Sequence, residues 1–228
     1  MLFTYLLYLH VLAGSLSLIL FWMPTLTKKG GKTHRKAGSY YIISMWVVVG
    51  SAAVLSFHNA YNGETNTALF LGFLSILSAQ PLYHGIAVLN NKKSFSDRFK
   101  TVSIAMNIAL LLSGAFLIVY ATVWVDEGVR ILMYFFGVIG LTALGNLRQL
   151  FRKPQNKAWF QEHYKGMITS GIAAYTAFFA FGGRRFLEDI LPGMWQILPW
   201  ILPTLLGVVA MRLYDRYYRK KGIIPATS

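Results

Sequence analysis

Cysteine is missing from all 228 residues of the chain. Its absence excludes disulfides, Cys-ligated zinc, iron–sulfur clusters and thiol catalysis, so any metal would have to be held by His, carboxylate or carbonyl groups. Charge is scarce as well: 13% of residues are charged, against about 25% in an ordinary soluble domain. Acids are the scarcest, 8 against 22 Lys and Arg. No linker is long enough to separate domains and no internal repeat is evident, so residues 1–228 read as one domain.

Apolar residues make up 55% of the chain, and they fall into blocks of about 20 residues, the length that crosses a ~30 Å hydrocarbon core. Seven blocks are expected as spans: 2–24, 39–57, 67–90, 101–124, 131–151, 165–183 and 197–217. The fold class is therefore an all-α membrane protein, a seven-transmembrane helical bundle with short loops joining antiparallel neighbours. The first block has no basic region before it and is too long for a signal-peptide core, so it reads as a span.

The net charge of +14 would ordinarily raise nucleic acid as a partner. Position argues against it, because 19 of the 22 Lys and Arg fall in alternate loops: 25–38, near 91–100, around 148–165, and the tail from Arg212. Only Arg130, Arg184 and Arg185 fall on the other side, with Glu64, Asp126, Glu127, Glu188 and Asp189. The positive-inside rule then places the N-terminus outside and the C-terminus in the cytoplasm. Aromatics near proposed span ends, among them Trp22, Tyr40, Tyr41, Trp124 and Tyr217, suit the membrane–water interface. Retinal binding is rejected: the last span holds no lysine, and no span carries a carboxylate at mid-depth.

Ionisable and amide groups are costly in a bilayer, so each one inside or beside a span is a candidate for function. His10 falls near mid-membrane, slightly to the outer side, and His58 falls in an outer loop with Asn59 and Asn62. His34 precedes the second span, His84 lies six residues above the inner end of the third, and His163 precedes the sixth. Gln80 is one turn from His84 on the same face. Asn107, Asn146, Arg148, Glu162, Thr169 and Ser170 fall in the same inner half. Pro81 should free a backbone carbonyl beside Gln80. The plainer alternatives are interhelical hydrogen bonding by the amides and contact of the loop histidines with lipid phosphates.

Three neutral imidazoles, His34, His84 and His163, could hold zinc with a fourth position open for an acidified water, and Glu162 would then serve as catalytic base. Arg35 or Arg148 could meet a phosphate headgroup, with Gln80, Asn107, Asn146 and Ser170 lining a cytoplasm-facing cavity for a lipid or amphiphilic small molecule. This combination suggests a metal-dependent membrane hydrolase or a metal- or polar-ligand-binding protein. A b-type haem is the competing chemistry: His10 and His84 differ by roughly 13 Å in depth, but His84 with His34 or His163 remains open. A small-solute or ion transporter is the third reading, since Pro199 and Pro203 interrupt the last span.

The segments His10-x-x-Ala13-Gly14, His34-Arg35-x-x-Gly38-x-Tyr40 and Glu162-His163-x-x-x-Met167-x-x-Ser170 resemble an uncharacterised family of predicted bacterial polytopic membrane proteins. The resemblance implies a protein integral to the bacterial cytoplasmic (inner) membrane and marks His10, His34, Arg35 and His163 as motif positions. It implies no reaction, and His84 is not part of the pattern.

Overall fold

The computed structural model describes residues 1–151, 157–183, 187, 190–191 and 193–224. Arg152, Lys153, Arg184, Arg185, Glu188 and Asp189, which enter the charge pattern above, lie outside the described residues.

Among the described residues there are helices and no strands. Helix α1 runs Leu2–Leu26, α2 Lys32–Tyr61, α3 Thr65–Ala87, α4 Asp97–Trp124, α5 Glu127–Leu141, α6 Ala143–Leu150, α7 Ala158–Ala177 and α8 Leu198–Lys220. A turn of π-helix, Phe178–Gly182, extends α7, and a 3-10 turn, Gly193–Ile197, leads into α8. Pro199 falls in the first turn of α8, where its missing N–H is one of the donors left over anyway.

Among the described residues six helical stretches are long and apolar enough to cross a membrane: α1, α2, α3 with its 3-10 extension, α4, Arg130–Leu150 and Trp195–Lys220. Their outward surface is apolar. Ile19 on α1 is 67% exposed and Leu206 on α8 is 59% exposed, while Ser17 and Ser170 are fully buried. A soluble monomer rarely carries so continuous an apolar surface, whereas hydrocarbon chains solvate it without cost.

The sixth expected span, 165–183, is the one without a counterpart among these six. Helix α7 begins at Ala158 rather than 165, so Glu162 and His163 are inside it. Gln161, Glu162, His163 and Lys165 make its first turns polar, and it packs among α1, α3 and α8. Helix α2 is also longer than expected. His34 sits in its first turn and His58 in its last, where the imidazole stacks on Phe3 at 3.6 Å between centroids.

The expected fifth span is two helices, broken at Thr142. The Thr142 hydroxyl donates to Ile139 O at 2.6 Å, taking a carbonyl from the helical ladder. Gly140 beside it packs backbone to backbone on α4, where a Cβ would come 2.8 Å from Gly114 Cα. Small residues thus let α4 and α5 touch, and Asn146 follows one turn after Thr142.

Candidate functional site

The site is set by one helix crossing. A Cβ on Gly166 of α7 would lie 2.8 Å from both Gly85 Cα and Pro81 O of α3, so the two backbones meet where neither residue has a side chain. Pro81 cannot donate to the ladder of α3, which loosens the helix at this point. The close approach brings residues 78 apart in sequence into contact. His84 Nε2–H donates to Glu162 Oε2 at 3.0 Å, and His163 Nδ1–H donates to Gly85 O at 2.7 Å.

Beside the His84–Glu162 pair lies a cavity of about 520 Å³, enclosed by α3, α4, α6, α7 and Met211 of α8. Helix α7 contributes Ala158, Gln161, Glu162, Lys165, Gly166 and Thr169, a single stripe at i, i+3, i+4, i+7, i+8 and i+11. Helix α3 adds Gln80 and His84 one turn apart, and α4 adds Asn107. The segment after the break adds Thr142, Asn146 and Gln149 at i, i+4 and i+7.

Much of this polarity is unspent. Asn107 is 1% exposed; its Nδ2 donates to Ser103 O at 2.8 Å, but its Oδ1 has no partner among the described residues. The side chains of Gln80, Asn146, Gln149 and Thr169 also make no hydrogen bond within the described residues. The charges, by contrast, are already paired. Glu162 holds His84, and Lys165 Nζ meets Asp215 Oδ2 at 3.2 Å. The Asp215 carboxylate also accepts from Gln161 Nε2 at 2.8 Å and from the Tyr164 hydroxyl, tying α7 to α8.

Other expected site residues lie elsewhere. Ser170 is fully buried outside the cavity, its Oγ 2.9 Å from the Tyr41 hydroxyl. Tyr41, expected at the membrane interface, is 1% exposed in the core. His10 Nδ1 is 2.8 Å from Ser51 Oγ, whose own proton goes to Val47 O, so the imidazole bridges α1 and α2 as a donor. Arg35 and Arg148 are exposed and do not line the cavity.

His34 and His163 sit together, their ring centroids 6.4 Å apart. His34 Nδ1–H donates to Pro24 O at 3.0 Å, and Lys29 Nζ donates to the same oxygen at 2.9 Å and to Thr25 O at 2.6 Å. These carbonyls end α1, where basic groups are favoured. Burial holds the Lys29 ammonium below its usual pKa. Of the three histidines expected at one metal ion, His34 faces His163 and His84 pairs with Glu162. Among the described residues no group of three His, Cys, Asp or Glu side chains converges to hold a metal.

Lys165, Gln161, Gln149 and Thr142 are not among the expected site residues. The signal for the first two is the polar stripe of α7, which an assumed start at residue 165 cuts in half. Compared with protein-family models, curated proteins and solved structures, the chain matches none.

Proposed function

We propose that this chain is an integral membrane protein of seven spans, N-terminus outside, that binds a polar ligand in the cavity between α3, α4, α6 and α7. The cavity opens toward the cytoplasmic side of a bacterial inner membrane, with the hydrogen-bonded His84 and Glu162 on its wall. The alternating Lys and Arg distribution supports the orientation. The membrane reading rests on the apolar outward surface and buried serines.

One observation carries the ligand reading: Asn107 lines the cavity with a buried Oδ1 that nothing among the described residues satisfies. An unpaired buried acceptor costs about 1–3 kcal/mol, so a side chain kept that way marks a place where a ligand or water completes the bond. Gln80 on the facing helix is buried in the same cavity and has no side-chain partner among the described residues.

The chain's lack of cysteine makes each introduced thiol a unique reporter. Lys28→Cys and Asn146→Cys should react with a membrane-impermeant maleimide in inside-out vesicles, and Tyr61→Cys only in right-side-out ones. Reaction of Asn146→Cys from the outer side reverses the orientation, and no reaction from either side removes the open cavity.

A further inference from the structure

The polar groups that have no partner among the described residues of the cavity are of one chemical kind. Gln80, Asn146 and Gln149 each offer a carboxamide, a donor and an acceptor side by side, and Asn107 offers its Oδ1. Thr169 adds a hydroxyl with the same dual character. Among the described lining residues no charged group is left over, because Glu162 and Lys165 are held by His84 and Asp215 at 3.0 Å and 3.2 Å. A cationic ligand would have to break the His84–Glu162 pair, and an anionic one the Lys165–Asp215 pair. Each would leave a half-buried charge without its partner, which is costly.

Paired amides complement hydroxyls, which also donate and accept from one atom. Phe95 and Met211 give the same cavity an apolar wall, against which a ring carrying C–H groups can lie. The volume of about 520 Å³ falls in the ordinary range for small-molecule sites, roughly 300–1,000 Å³.

We propose that the cavity takes a neutral, hydroxyl-rich ligand, either a free sugar or polyol or the sugar headgroup of a glycolipid. This inference rests on the reading of the cavity as a ligand site. Recognition comes from Gln80, Asn107, Asn146 and Gln149, with the charged pairs left intact on the wall.

The test uses Thr142→Cys as a reporter, because Thr142 lines the cavity but its hydroxyl is committed to Ile139 O. The protein is placed in nanodiscs rather than a maltoside detergent, whose sugar headgroup would itself occupy the site. Maleimide labelling is timed with glucose, maltose or myo-inositol, and separately with inorganic phosphate, glutamate or spermidine. A further arm uses discs containing monoglucosyl diacylglycerol. Neutral sugars should slow labelling, and Gln80→Leu should raise the protecting concentration by about tenfold, the worth of one net hydrogen bond. Gln149→Ala, at an exposed position, gives the same readout if Gln80→Leu does not fold. Protection by soluble sugars assigns a free solute, and protection only in glycolipid discs assigns the headgroup; both support the proposal. Labelling that responds only to charged solutes, or to none of the probes, overturns the neutral ligand while leaving the open cavity standing. A Thr142→Cys thiol that never labels overturns the ligand-site reading beneath it.

Discussion

Two polar regions run through this bundle, and they treat their polar atoms in opposite ways. The seam between α1, α2 and α7 carries His10 with Ser51, Ser17 with Ser44, and Tyr41 with Ser170, each pair joined at 2.8–2.9 Å. Along α2 the inward positions Ala37, Tyr41, Ser44 and Ser51 keep helical spacing and are all buried. Every hydroxyl in that set has a partner, and the seam lines no part of the cavity. Across α7, the cavity shows the reverse: the side chains of Gln80, Asn146 and Gln149 and the Asn107 Oδ1 have no partner among the described residues and border open space. A polar residue inside a membrane bundle is therefore not informative by presence alone. What marks the site is an unpaired polar atom beside open space: the Ser103 and Thr176 hydroxyls also lack partners among the described residues but line no part of the cavity.

The contrast can be broken most severely at the crossing that creates it. Gly166→Val would drive a side chain into the Gly85 and Pro81 backbone, an overpacking cost of about 3 kcal/mol. Equilibrium unfolding in mixed micelles should register that loss, and labelling of cavity cysteines should change with it. Unaltered stability would mean that α3 and α7 are not in backbone contact.

Next in size is a change of opposite sign. Asn107→Leu removes an acceptor that is already unsatisfied and fills the space with apolar atoms, so stability should rise by about 1 kcal/mol while ligand protection disappears. A drop in stability would place Asn107 with the cement.

The seam should respond in the ordinary direction. The Tyr41 and Ser170 hydroxyls bond only to each other among the described residues, which makes them a clean pair for a double-mutant cycle. Tyr41→Phe and Ser170→Ala should each destabilise, with a coupling of about 0.6 kcal/mol, and neither should alter cavity labelling. Zero coupling contradicts the hydroxyl contact between α2 and α7.

The smallest effect is expected at the part-exposed ion pair. Glu162→Gln keeps a hydrogen-bond acceptor for His84, so stability should move by about half a kcal/mol or less. A larger loss would make the pair a structural fastener rather than a functional wall.

Much of the fold is legible from hydropathy, because span length is imposed by the bilayer and apolar runs are long. The break at Thr142 is not, since it coincides with Gly140 meeting Gly114 across to α4, a contact that hydropathy does not show. The start of α7 is hidden too: polarity at Gln161 to Lys165 reads as loop until one sees that it faces protein rather than lipid. Gln80, His84, Asn107, Asn146 and Glu162 stand out together in the sequence, and the structure places all five around one cavity. Ser170 looks the same in sequence as Thr169, yet one residue of helical rotation turns it into the seam. Residue type alone groups His34 and His163 with His84, whereas their Nδ1–H groups are spent on the carbonyls of Pro24 and Gly85.

The most direct test of the division between site and cement compares two single thiols in an otherwise cysteine-free chain. Gln80→Cys and Ser44→Cys replace side chains of similar burial, one in the cavity and one in the seam. With a small, water-soluble thiosulfonate applied from the cytoplasmic side, Gln80→Cys should react and Ser44→Cys should stay silent. Equal reactivity at both positions, or reaction at Ser44→Cys alone, would contradict the account.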